Sequence, residues 1–221
     1  MLCHEVARMH SQANDAYADV ELVLESVRLR VGEHIGAFYR GDDERDAFVI
    51  PLIGEALAVS CGVIYVCDRE SPEAVEKQLI AEAVDVNGAA RRGQLRLIAA
   101  TDAYLAGGAF DPDRMVGFYR HAWEESGRYG YPVLCVIGEM SWSLRDCPGT
   151  DRLLEYEALY AKQFGASPMI TLCLYDLERT RGEQIFDLLR VHSRVILNGV
   201  EMQNPHQIDP GFFLPRDTHR L

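Results

Sequence analysis

Val133-Leu-Cys-Val-Ile-Gly-Glu139 is the most apolar stretch of the chain, and it ends on a carboxylate. A short run of this kind, without polar alternation, is typical of a β-strand that is buried on both faces. It is far too short to cross a membrane as a helix. We therefore predict a strand from Pro132 to Gly138 inside a sheet that is covered on both sides.

Similar apolar runs alternate with helix-period segments from about residue 33 to the end of the chain. Helix starts are marked between them by Ser71-Pro72 and Asp111-Pro112, where a capping side chain precedes a proline. Strands that are each followed by a helix indicate a parallel sheet with helices on both faces. The predicted fold is therefore α/β, with three layers around a mainly parallel sheet. The other predicted strands are His34–Tyr39, Gly62–Cys67, Leu95–Ala99, Met169–Tyr175 and Val195–Leu197.

The first thirty residues show another periodicity, because their apolar residues recur at steps of three and four, as on one face of a helix. We predict that residues 1–30 form an N-terminal helical extension. This helix either packs on its own domain or offers a surface for a homodimer or a protein partner. Residues 31–208 then form the main domain, and a tail, residues 209–221, is expected to be irregular, as is the stretch from Asn204 onward. The stripe comprises Leu2, Val6, Met9, Ala13, Tyr17, Val20, Leu24 and Val27.

The composition limits the class of protein. The chain has 221 residues, 48% of them hydrophobic, and a net charge of -12. A charge of this sign repels nucleic acid and anionic membrane surfaces, so neither is an expected partner. The six cysteines show no paired spacing, and the N-terminus lacks the features of a signal peptide. We expect a cytoplasmic protein whose cysteines are thiols.

Seven segments, taken in order, resemble one family. They are His34-Ile-Gly-Ala-Phe-Tyr39, Ile64-Tyr-Val-Cys-Asp68, Gly93-Gln-Leu-Arg-Leu97, Phe110-Asp-Pro-Asp113, Gly138-Glu-Met-Ser-Trp-Ser-Leu144, Leu153-Leu-Glu-Tyr-Glu157 and Leu172-Cys-Leu-Tyr-Asp176. This set resembles the MEDS domain, the methanogen/methylotroph sensory domain of the regulator DcmR, over roughly residues 31–208.

The resemblance implies a fold related to KaiC and RecA and a role in sensing small hydrocarbon derivatives. Some members of the family carry a DNA-binding helix-turn-helix or a signalling kinase domain, and others stand alone. Where the family often has a cysteine after the His-Ile pair, this chain has Gly36. This departure weakens the expectation of a metal-binding His/Cys pair in this strand.

The turn after the first predicted strand does not carry a phosphate-binding motif. A working loop reads GxxxxGK[ST], because glycines let backbone N–H groups surround phosphate and the lysine neutralises it. Residues 39–46 read Tyr-Arg-Gly-Asp-Asp-Glu-Arg-Asp instead. The acids at positions 42–44 suit the start of a helix and would repel a polyphosphate. We therefore predict a degenerate P-loop, although the Val133–Glu139 stretch still resembles a Walker-B strand.

In sheets of this kind, ligands bind beyond the carboxyl ends of the strands. We predict a small-molecule site there, with aromatic and apolar walls and a few polar contacts. The alternative is that the aromatic residues pack under loops and that the acids only cap helices or bond loops. The predicted ligand-binding residues are Tyr39, Arg40, Asp68, Glu139, Met140, Trp142 and Tyr175.

Other reactive residue types offer weaker signals. His34 begins the first strand, at the end opposite the predicted site, and is expected to be a hydrogen-bonded structural residue. Cys67 is the thiol nearest the site, where Asp68 would raise its pKa and make it less reactive. His4 and His10 beside Cys3 have no strand-derived partner. We predict no metal, no cofactor and no catalytic residue.

The preferred hypothesis is a non-catalytic sensor that binds a small organic molecule and signals to a partner protein. One alternative is a nucleotide-binding protein or enzyme with residual ATPase activity, which binding of Mg-ATP would reveal. The other is a pure interaction module acting through residues 1–30, which a truncation would reveal.

Overall fold

A seven-stranded sheet with the order β5-β4-β6-β7-β3-β8-β9 forms the centre of the fold. The computed structural model describes residue 17 and residues 19–25 and 27–214. Neighbouring strands of this sheet are parallel except for β8 and β9, and β1 pairs with β2 in a separate hairpin. The strands are β1 Glu21–Leu24, β2 Val27–Arg30, β3 His34–Tyr39, β4 Gly62–Cys67, β5 Leu95–Ala99, β6 Leu134–Glu139, β7 Met169–Asp176, β8 Arg194–Leu197 and β9 Val200–Gln203.

Helices cover both faces of the sheet. One face carries α1, α2, α3 and the β1-β2 hairpin, and the other carries α4, α5 and α6. These are α1 Gly41–Ala58, α2 Pro72–Ala81, α3 Val86–Arg91, α4 Pro112–Arg128, α5 Leu153–Phe164 and α6 Gly182–Val191. Strands β3, β4, β6 and β7 are buried along their whole length, as their apolar composition requires. The predicted three-layer, mainly parallel α/β fold is confirmed.

The N-terminal prediction is wrong where it can be compared with the structure. Residues 21–24 and 27–30 pair as the strands β1 and β2 and do not form a helix. Val27 and Leu29 are buried while Arg28 and Arg30 are exposed, so the local period is two and not 3.6. Residues 1–16, on which the rest of the predicted helix falls, lie outside the described residues.

The sheet also ends differently from the prediction. A hairpin adds β9 antiparallel to β8, and its turn contains Asn198 and Gly199, both at positive φ (51° and 69°). An Asn-Gly pair is a strong hairpin signal, because both residues accept this backbone conformation. The sequence therefore contained the information for β9, although the strand was not predicted.

Part of the predicted irregular tail is structured. Asn204 is buried, and its side-chain amide donates to the carbonyls of Leu189 and of His192, the latter at 2.6 Å. A 3₁₀ turn at Pro210–Phe213 packs against α5. Residues 215–221 are outside the described part of the chain, and none of the described helices could cross a membrane.

We predict that Asn204→Ala lowers the free energy of unfolding by about 1–3 kcal/mol, because buried carbonyls lose their donor. The matched control is Gln203→Ala, whose side chain is exposed on the same strand end and whose effect should stay within about 0.5 kcal/mol. Urea denaturation of the three proteins measures this difference. Equal stabilities of the two variants would contradict the role given to Asn204.

Candidate functional site

The carboxyl ends of β3, β4, β6 and β7 bring the predicted ligand-binding residues to one edge of the sheet. Tyr39 and Glu139 end β3 and β6, and Tyr175 is the penultimate residue of β7. Asp68 follows β4 directly, and its backbone contacts Glu139. Parallel pairing produces this arrangement, since it places all the carboxyl ends at the same edge. Arg40, which follows Tyr39, is exposed.

Glu139 is the centre of this edge and is fully buried. One of its oxygens, Oε2, accepts the backbone N–H groups of Asp68 at 2.9 Å and Arg69 at 2.7 Å. The other, Oε1, accepts the hydroxyl of Tyr65 from the neighbouring strand β4. Burial raises the pKa of the Glu139 carboxyl, although these donors and Arg45 act in the opposite direction.

Arg45 supplies the compensating charge from the first turns of α1. Its guanidinium is almost fully buried and lies 3.6 Å from Glu139, and it also contacts Asp42 at 3.0 Å and Asp46 at 2.7 Å. A fourth carboxylate, that of Glu70, lies 3.3 Å away. Buried charges are tolerated when they are paired, and four carboxylates surround this guanidinium within 4 Å.

The turn between β3 and α1 is very short. Only Arg40 separates the two elements, and Gly41 has a φ of 70° that allows this turn within one residue. Glu44 accepts the backbone N–H of Arg40 at 3.0 Å, while Asp42 pairs with Arg45 and Arg69. Asp42 and Glu44 therefore bind groups of the protein itself, whereas Asp43 is exposed. Its interpretation as a degenerate P-loop stays a prediction.

The predicted aromatic walls are part of the core. Trp142 is fully buried, and its ring stacks on Tyr104 at 4.7 Å and contacts Phe110 at 4.3 Å. Met140 and Tyr175 are also buried. Their burial agrees with the alternative of packing under loops, and their role as walls of a ligand site stays a prediction.

The clefts that open at this edge are small. One lies between Met140, Tyr175 and α6 and has a volume of about 10 Å³. Another lies beside Tyr39 and Arg45 and has about 20 Å³. Each has room for about one water molecule, far less than the roughly 300–1,000 Å³ of ordinary ligand pockets. In the described conformation, neither of these two clefts could hold an organic ligand.

Residues 140–152 contribute Trp142 to the core and make polar contacts with several other parts of the chain. Asp68 accepts the hydroxyl of Ser141 at 2.6 Å and pairs with Arg145. At the other side of the segment, the carbonyl of Pro148 accepts the N–H of Phe110 at 2.9 Å. Asp68 is one of the predicted ligand contacts. Its side chain anchors this segment, and its backbone N–H donates to Glu139.

A second cluster lies between the sheet and α5 and α6, and its partners were not predicted. His34 was expected to be a lone structural residue. Its Nε2 lies 2.9 Å from Glu157 Oε2 and 3.2 Å from the Cys173 sulfur, and His192 Nε2 lies 3.7 Å from the same oxygen of Glu157. The four side chains are buried, and Tyr175 donates to Glu157 Oε1 at 2.7 Å.

Burial and neighbouring charges set the protonation of this cluster. Burial lowers the pKa of His192 to about 4, helped by the charge of His34, so the imidazole of His192 is neutral at pH 7. Burial alone would raise the pKa of Glu157, but the hydrogen bond and charge of His34, together with His192 and Tyr175, lower it. Burial raises the pKa of the Cys173 thiol well above its usual value, with Glu157 adding to the effect.

Cys67 and the N-terminal histidines complete the set of candidates. Burial, and then the charge of Glu139, raises the pKa of Cys67 to about 12, which makes its thiol a poor nucleophile at neutral pH. His4, His10 and Cys3 lie outside the described residues.

Comparisons with known proteins identify the family. The model of the MEDS family, "MEthanogen/methylotroph, DcmR Sensory domain", matches residues 33–193. A search among curated proteins finds no match.

Two solved structures share the fold. The flagellar accessory protein FlaH from Methanocaldococcus jannaschii is 13% identical, with a TM-score of 0.58 over 80% of this chain and 79% of that one. A KaiC-like protein from Pyrococcus horikoshii OT3 is 12% identical, with a TM-score of 0.55 over 76% of this chain and 72% of that one. The fold is therefore KaiC-like, as the resemblance implied. Since the family model spans well over half of its residues, the chain belongs to the MEDS family of sensory domains.

Proposed function

We propose that this domain is a non-catalytic sensor that binds a small organic molecule in the aromatic cluster to which residues 140–152 contribute Trp142. The cluster comprises Tyr104, Phe110, Tyr119, Trp142, Tyr156 and Tyr160. The observation that carries the proposal is the indole N–H of Trp142, which is fully buried and has no hydrogen-bond partner among the described residues. A buried donor without a partner costs about 1–3 kcal/mol, and a ligand that accepts from it would recover this energy.

The cluster indicates the chemistry of the ligand. Its walls are aromatic rings, and its hydroxyls largely bond to one another, as in the Tyr104–Tyr119 pair at 2.8 Å. A small alcohol, ether or ketone has an apolar part that would pack against these rings and one oxygen that would accept from the indole N–H of Trp142. This class agrees with the sensing of hydrocarbon derivatives that the family resemblance implies.

Binding requires residues 140–152 to move, because the two clefts at this edge, of about 10 and 20 Å³, are too small for an organic ligand. Their anchor, Asp68, also donates its backbone N–H to Glu139, which is paired with Arg45 of α1. Movement of the segment would therefore be transmitted to the ionic network and to α1. A ligand that binds the open state better than the closed one shifts this equilibrium, and a partner protein would detect the result.

We predict that Asp68→Asn raises hydrogen–deuterium exchange in residues 141–147 about tenfold, because one hydrogen bond and the charge partner of Arg145 are lost. Asp146→Asn is the matched control, since Asp146 is exposed in the same segment. Exchange measured by mass spectrometry compares the variants with the unmodified protein. If Asp68→Asn and Asp146→Asn exchange at the same rate, Asp68 does not hold the segment.

We further predict that small alcohols, ethers or ketones raise the Tm of the unmodified protein more than alkanes of equal size do. Trp142→Phe should abolish this difference, because phenylalanine keeps an aromatic ring but lacks the N–H donor. Trp123→Phe is the control, since the Trp123 indole already donates to Pro132 at 3.2 Å. Two results would refute this location of the site. One is that none of these compounds raises the Tm of the unmodified protein, and the other is that Trp142→Phe keeps the same difference in Tm between the oxygen compounds and the alkanes.

A further inference from the structure

We propose that His34, Glu157, Cys173 and His192 form a binding site for one transition-metal ion of the zinc class. The site lies between strands β3 and β7 and helices α5 and α6. It adjoins the aromatic cluster, since the rings of His34 and Tyr160 lie 5.0 Å apart, but it does not depend on the function proposed above.

The positions of the four donor atoms are the first support. One donor atom from each residue lies within 4.8 Å of all the others. Zinc bonds of about 2.0–2.3 Å place tetrahedral ligands roughly 3–4 Å apart. The separations of Glu157 Oε2 from the other three donor atoms, 2.9 Å to His34, 3.5 Å to Cys173 and 3.7 Å to His192, are close to this range. Small side-chain adjustments would bring four ligands around one ion.

The orientation of the His192 ring is the second, independent support. Its Nδ1 lies 2.9 Å from the carbonyl of Leu188, which can only accept, so Nδ1 donates there and Nε2 faces the cluster. This Nε2 is buried and has no hydrogen-bond partner in the described part of the chain, yet it faces the carboxylate of Glu157. A single cation between this nitrogen and the facing carboxylate oxygen could be bound by both of them.

Neighbouring groups already orient two of the ligands. The Leu188 carbonyl fixes the ring of His192, and the hydroxyl of Tyr175 holds Glu157 Oε1 at 2.7 Å, which leaves Oε2 for the ion. Hydrogen bonds of this kind accompany most metal-binding histidines and carboxylates. They give the site a rigid frame before any ion is bound.

The ligand types select the class of ion. Two imidazoles, a thiolate and a carboxylate suit zinc or cobalt, whereas magnesium and calcium prefer oxygen ligands alone. The negative charges of a thiolate and a carboxylate balance the two positive charges of a divalent ion, so the buried site would have no net charge. Four protein ligands leave no open position, which is typical of structural zinc sites. The ion would hold α5 and α6 against the sheet.

The test uses cobalt(II) alone, because cobalt–thiolate bonds produce a charge-transfer band in the near ultraviolet. We expect the purified, metal-free chain to bind one cobalt ion with this band and to lose it when zinc is added. Cys173→Ala should remove the band. Cys135→Ala, which alters another fully buried strand cysteine, should retain it. Absence of the band in the unmodified protein, or its presence in Cys173→Ala, overturns the proposal.

Two further variants keep the test decisive if Cys173→Ala does not fold. Tyr175→Phe preserves all four ligands but releases Glu157 Oε1, and loss of such a partner typically weakens metal binding about 10–100-fold. Glu157→Gln keeps the shape of the side chain and should weaken cobalt binding at least as strongly, with the thiolate band retained at saturation. Affinities equal to that of the unmodified protein in both variants would exclude Glu157 from the site and overturn the proposal.

Discussion

The buried carboxylate of Glu139 is the interaction on which the carboxyl edge of the sheet depends. It accepts hydrogen bonds from Tyr65 in β4 and from the two residues that follow β4, and it forms an ion pair with Arg45 of α1. Breaking a buried ion pair by removing one partner typically costs about 3–5 kcal/mol, because the other charge is left without compensation. The pair therefore joins two strand ends to the first helix and occupies the edge where proteins of this fold class bind ligands.

Much of the fold could be predicted from apolar patterning. β6 was identified from seven residues because a strand buried on both faces cannot carry polar alternation. The β1-β2 hairpin was not predicted, because a strand of four residues such as Val27–Arg30 is short. In so few residues, the strand period of two cannot be distinguished from the helix period of 3.6, and the apolar stripe of the predicted N-terminal helix overlaps the hairpin. The β8-β9 hairpin carried a readable signal at Asn198-Gly199.

The candidate sites show where prediction from one sequence ends. Strand topology placed Tyr39, Asp68 and Glu139 at one edge, but no local pattern indicates that Arg45 is buried against Glu139. His34, Glu157, Cys173 and His192 are scattered along the chain and meet only because β3 pairs with β7, with Gly36 opposite Cys173. The burial of Trp142 likewise depends on Tyr104 and Phe110, which approach it from another part of the chain.

The arrangement gives the two regions of the domain different tasks. On the proposed function, residues 140–152 respond to a ligand, and Asp68 transmits that response to the Glu139–Arg45 pair. In the proposed metal site, the cluster around Glu157 would instead hold α5 and α6 against the sheet. The proposed sensor depends on an edge that the protein's own carboxylates and Arg45 occupy.

Calorimetric titration of the full chain with Mg-ATP and Mg-ADP tests this central claim most directly. We predict no binding up to millimolar nucleotide, because carboxylates and Arg45 occupy the turn where phosphates would lie. Sub-millimolar binding that is lost in Glu139→Gln would contradict it.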